Sequence, residues 1–115
     1  MILVLIIGVI SISTSLAQSN EKKETIWKTD TINVDGKCGM CKENIEGALK
    51  KKDGIKAKDW SPKTHLLVVT YDVSVIKIDD IRKKVAAAGY DTDKVKAPND
   101  AYNKLDNCCK YQRTN

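Results

Sequence analysis

The chain is short of several residue types that common functions require. It has no phenylalanine and only two Trp and four Tyr in 115 residues, and its lysines are interleaved with Asp and Glu, a pattern that argues against nucleic-acid binding. His65 is the single histidine and reads as an exposed strand residue, so no imidazole-built metal site is expected. Asp72, Asp79, Asp80 and Asp91 read as turn or helix-start residues. With no convergent acid, base and nucleophile, an enzyme is not expected. Neither of the two prolines, Pro62 and Pro98, is placed to face a redox loop, and internal repeats and low-complexity tracts are absent. No charged side chain precedes Glu21.

That uncharged start is an apolar run from Ile2 to Ile12, a Ser/Thr shoulder, and Ser15-Leu16-Ala17 ahead of Gln18. The run is shorter than the roughly 20 residues of a bilayer span, and small residues stand where cleavage would fall. Residues 1–17 are therefore expected to be a secretory signal peptide, with the mature protein in a periplasm or outside the cell. Because no Lys or Arg precedes the run, an uncleaved membrane anchor is the alternative. The formal charge of +5 then belongs wholly to the mature part, and such a surface favours acidic partners or anionic membranes. At this length one small domain with a single core is expected.

Residues 18–25 read as a polar linker. From Ile26 to Val34, alternation of Ile32 and Val34 with Thr31 and Asn33 marks a strand with one buried face. Ile45, Ala48 and Leu49 recur at helical spacing until Asp53-Gly54, opposite a charged face. Ile55–Trp60 and His65–Tyr71 read as a hairpin across Ser61-Pro62-Lys63. A second helix is expected over Ile78–Ala88, with Gly89 as its cap, and Thr92–Val95 as a last short strand. The order strand, helix, strand, strand, helix, strand predicts an α+β ferredoxin-like domain over residues 26–97, with a four-stranded antiparallel sheet and two helices on one face. Residues 98–115 form a cysteine-containing tail, where Ala101, Tyr102, Leu105 and Cys109 would share one face of a short helix. Trp27, Trp60, Tyr71 and Tyr102 read as packing residues.

The four cysteines come as two tight pairs, Cys38/Cys41 and Cys108/Cys109, and not spread as a disulfide framework would be. In DGKCGMCKENIEGAL the first pair sits at a strand-to-helix loop, with the second cysteine in the first helical turn. There, unpaired backbone N–H groups and the helix dipole favour a thiolate. Two soft sulfurs without imidazole or carboxylate select Cu(I) or Hg(II), with Zn(II) ranked behind. Gly36 and Gly39 would let the loop bend, Lys37 and Lys42 would offset the negative charge, and Met40 would plug a core gap. Two other readings stay open: a thiol–disulfide exchange protein, though Lys37 and not an aromatic precedes the pair, and a disulfide-stapled interaction module.

DGKCGMCKENIEGALKKKDGI after a strand, with AAAGYD closing the second helix, resembles the heavy-metal-associated domain family. That family comprises copper chaperones, metal-binding domains of copper-exporting ATPases and periplasmic mercuric-ion-binding proteins. The resemblance implies that Cys38 and Cys41 are the metal ligands, that the fold is ferredoxin-like, and that Tyr90 lies beside the metal loop. Family loops place Gly-Met two and three positions ahead of the first cysteine, with the Met buried, whereas this chain has Asp35-Gly36 there. For Cys108 and Cys109 three states are open: a vicinal disulfide, buried thiols, or a third and fourth sulfur for the same ion. The expected function is that of a monomeric carrier which passes a thiophilic ion to an acidic acceptor protein or a membrane metal transporter.

Overall fold

The computed structural model of the protein describes residues 25–114, together with Gly8. All of the expected signal peptide but Gly8, and all of the expected linker but Thr25, lie outside the described residues. The elements are β1 (Trp27–Asn33), α1 (Gly39–Gly47), β2 (Ile55–Trp60), β3 (Leu66–Asp72), α2 (Ile78–Ala87) and α3 (Asn99–Asn103), with 3-10 turns at Lys51–Asp53 and Asn107–Cys109.

β3 is the centre of an antiparallel sheet in the order β1-β3-β2. β1 pairs with it from Trp27 opposite Asp72 to Asn33 opposite Leu66, and β2 pairs on its other side with an irregularity between Ile55 and Ala57. This register turns Ile32, Ile55, Trp60, Leu67, Val69 and Tyr71 into one core with Ile45 from α1, Leu49 just beyond its end, and Ile81 and Val85 from α2. Leu66 and Val68, on the opposite face of β3, are exposed. Alternation along the strands and the 3.6-residue repeat along the helices thus meet on one face of the sheet.

Three readings of the sequence need correction. Among the described residues the sheet has three strands, and the expected strand Thr92–Val95 contributes a single bridge, Thr92 opposite Val34 at the free edge of β1. The segment curls because Thr92 bonds locally: its N–H donates to the Val95 carbonyl at 2.8 Å, and its Oγ1 accepts from the Val95 N–H at 2.9 Å. Such side-chain bonds compete with a ladder. α1 ends at Gly47, earlier than the Asp53-Gly54 stop, and the turn at Lys51–Asp53 leads into Gly54 at φ +90°. Trp27 is not packed but exposed, with the Lys56 ammonium 5.0 Å from its ring.

The tail is built into the domain. Gly89 ends α2 at φ +108°, and a Cβ there would stand 2.9 Å from the Ala101 carbonyl oxygen and 3.0 Å from Leu105. Glycine is therefore needed both for the turn and for the tail's close approach. Tyr111 is buried, and its hydroxyl donates to the Gly89 carbonyl at 2.9 Å while accepting the Asp91 N–H at 2.8 Å. Its ring stacks on Tyr90 and meets Tyr102 edge-on. Arg113 then reaches Asp91 with two nitrogens, at 2.7 and 2.9 Å. The expected single helical face is realised in two pieces, α3 and the 3-10 turn, with Tyr102, Leu105 and Cys109 all packed on the core.

Burial alone would push the Asp91 carboxyl up, but Arg113, the Ala97 N–H and Lys96 outweigh it and hold the group below the ordinary carboxylate range. A depressed carboxyl stabilises the fold above the unfolded value of about 3.9, and that contribution is lost as the pH falls through the lower folded value. Asp91 is 1% exposed but the Arg113 side chain 21%, so Arg113→Ala should cost about 2–3 kcal/mol, below the range for fully buried pairs. Urea unfolding at pH 7 measures this. The difference between wild type and variant should shrink as the solution is acidified below pH ~4.

Candidate metal centre

β1 delivers the chain into the loop at Val34, whose carbonyl accepts the Trp60 indole N–H at 2.9 Å. That bond seats the fully buried indole against Gly36, where a Cβ would fall 2.7 Å from Trp60 Cζ2 and 3.4 Å from Cys41 Cβ. The ring fills the space beneath the cysteine loop. Gly36 is thus required for packing. Gly39, by contrast, has open space around it and no left-handed φ, so the loop's bend does not depend on it.

α1 starts at Gly39, which makes Cys38 its N-cap. Cys38 closes no full side-chain cap hydrogen bond, yet the backbone N–H groups of Cys41 and then Met40 hold its thiol below the ordinary thiol range. The half-buried Cys38 therefore ionises more readily than an ordinary thiol. Cys41 is fully buried, and its sulfur accepts the Lys37 backbone N–H at 3.4 Å.

The tail brings the second pair to the same place. The sulfurs of Cys38, Cys108 and Cys109 lie within 4.8 Å of one another, and among the described residues this is the only set of three or more potential ligand side chains so gathered. The Cys38 thiol donates to the Cys108 carbonyl at 3.4 Å, and the Cys41 thiol faces the Cys109 carbonyl at 4.0 Å. All four cysteines are free, and the Cys108 and Cys109 sulfurs are 4.0 Å apart, about twice a disulfide bond. Cys109 is fully buried, and burial, followed by the neighbouring Cys41, pushes its thiol up to about 12.

Tyr90, one residue past the Gly89 turn, is fully buried. Its buried hydroxyl accepts from Asn44 Nδ2 at 3.0 Å, and the same Nδ2 approaches the Cys109 sulfur at 3.9 Å. Burial, with Cys109 and Cys41 beside it, drives the phenol well above its usual range, so it stays neutral. Other expected residues lie elsewhere. Lys42 is held by Asp59 at 2.6 Å and Glu46 at 2.7 Å and does not face the sulfurs. Met40 is 42% exposed and not a core plug, with its thioether 3.6 Å from the Cys108 sulfur. His65 takes φ +61° in the turn before β3 and stacks on Trp60. Sequence reasoning missed Asn44, though it stands three residues after Cys41 on the same helical face. It also missed Tyr111 and Arg113, for which no local pattern exists.

The sequence profile of the heavy-metal-associated domain matches residues 31–91, more than half of the chain. The chain belongs to that family. It is 32% identical over 63 residues to the copper chaperone CopZ of Staphylococcus aureus (strain JH9), covering 54% of this chain and 93% of that one. Among solved structures, oxidized MerP from Ralstonia metallidurans CH34 superposes with a TM-score of 0.54 at 29% identity, over 58% of this chain and 94% of that one. A putative copper-ion-binding protein from Bacillus anthracis str. Ames gives 0.55 at 29% identity, over 59% and 97%. The family match ends at Asp91, ahead of the Cys108/Cys109 tail.

On the metal-free, reduced protein, alkylation mapped by mass spectrometry across pH should show Cys38 reacting with a midpoint below that of an ordinary thiol. Cys109 should resist until strongly alkaline pH. Gly36→Ala should destabilise the domain by about 1–3 kcal/mol in urea, since the buried indole has nowhere to move.

Proposed function

We propose that this heavy-metal-associated domain is an exported, monomeric carrier that binds one thiophilic ion, Cu(I) or Hg(II), through Cys38 and Cys41 and passes it to an acidic acceptor protein or membrane metal transporter. The observation that carries the proposal is the placement of Cys38: an N-cap thiol favoured as the anion, half-exposed, one helical turn from buried Cys41. An exposed sulfur beside a buried one suits an ion that must be both held and handed on. The donor set near it is all sulfur, which matches soft ions and not hard ones. The named copper-chaperone relative supports a carrier over an enzyme. Export rests on the apolar run from Ile2 to Ile12 and the small residues before Gln18.

Transfer proceeds by ligand exchange. An incoming thiolate forms a bond to the ion, the expanded complex then loses one of the original sulfurs, and no atom changes oxidation state. A protein with a formal charge of +5 would be drawn to a negative partner, so the encounter rate should fall as salt rises.

Anaerobic titration with Cu(I) should give one ion per chain for the wild type. Cys38→Ser combined with Cys41→Ser should abolish tight binding. Retention of wild-type affinity in that double variant, or reduction of protein disulfides without any metal affinity, would refute the carrier.

A further inference from the structure

We infer that the tail cysteines belong to the same metal centre as the loop pair: Cys108 and Cys109 coordinate the ion together with Cys38, and Cys41 supplies the fourth sulfur. The inference rests on the carrier reading above and adds what that reading lacks, a ligand pair outside the family match.

With metal–sulfur bonds of about 2.3 Å, sulfurs sharing one ion stand roughly 4 Å apart in trigonal or tetrahedral arrangement. Cys108 and Cys109 already stand at 4.0 Å, and the trio with Cys38 is contained within 4.8 Å. Less than 1 Å of contraction therefore closes three sulfurs on one ion.

The arrangement is also held from outside. Tyr111 is fixed by both hydrogen bonds of its hydroxyl, and Arg113 by buried Asp91, so the chain two and four residues beyond the pair is locked. Asn44 spans from Tyr90 to Cys109 and aims that sulfur at the loop. Buried thiols packed only to fill space need none of this. Met40, exposed beside Cys108, adds a soft thioether at the rim.

The chemistry balances without a redox partner. Each coordinating thiol releases its proton to solvent as its metal bond forms. In transfer, the acceptor's thiolate bonds to the ion as the exposed Cys108 leaves. The tail is thus an internal competitor for the position an acceptor must occupy. A tethered ligand acts at an effective concentration of the order of millimolar, so against an acceptor at tens of micromolar it should slow release by about 10- to 100-fold.

The test uses the full chain, reduced and anaerobic, with Cu(I) alone as probe. Alkylation of Cys108, exposed without metal, is followed as one equivalent of Cu(I) is added. It should slow at least tenfold, in step with Cys38, and the variant carrying Cys108→Ser and Cys109→Ser should bind one ion yet surrender it to a competing chelator at least tenfold faster. If Cu(I) protects Cys38 while Cys108 alkylates at its metal-free rate, or if the serine variant releases the ion no faster, the tail is not a ligand and the two-sulfur carrier stands. Binding of two ions, one on each pair, equally overturns the shared centre. Should Cu(I) protect neither pair, the carrier reading fails together with it.

Discussion

The clamp formed by Asp91, Arg113 and the Tyr111 hydroxyl is the constraint on which the sulfur cluster depends. Asp91 sits at the edge of β1, where its carbonyl accepts the Asp35 N–H at 2.9 Å, and its carboxylate takes the Ala97 N–H and the Arg113 guanidinium. One buried residue thus ties the metal loop, the end of α2 and the tail together. A lone carboxylate in that position would be expelled or protonated, and the guanidinium makes it tenable. Without the clamp, Cys108 and Cys109 would have no reason to lie over the start of α1.

A second, independent anchor fixes the loop from below. The Trp60 indole, bonded to Val34 and pressed on Gly36, fills the space under the loop. It sets Cys41 at the third residue of α1 and Cys38 at the N-cap, where backbone N–H groups favour negative sulfur. The two anchors have different costs: the indole is apolar burial with one hydrogen bond, whereas the tail clamp relies on a charge pair and two shared hydroxyl bonds. Acid should weaken the second well before the first.

Much of this was readable from local pattern. The CxxC at a strand-to-helix step, the helix through Ile45, the apolar run of β3 and Gly89 as a cap are all decided by neighbours in sequence, and the structure bears each out. Thr92–Val95 was misread because threonine favours strands but here spends its hydroxyl on the Val95 N–H. Met40 was misread because the space under the loop is filled by Trp60, 20 residues further along, while Met40 itself stands exposed beside Cys108. The docking of the tail was illegible for a deeper reason: Asp91 with Arg113, and Gly89 with Tyr111, are pairs 22 residues apart, and no periodicity announces such partners.

The proposed centre gives one soft ion only sulfur, and more than two sulfurs, at the start of α1. X-ray absorption on the Cu(I)-loaded full chain, prepared without oxygen, tests it most directly. A copper shell of three or four sulfurs with no nitrogen or oxygen is the predicted result; a shell containing nitrogen or oxygen, or one of two sulfurs alone, would contradict it.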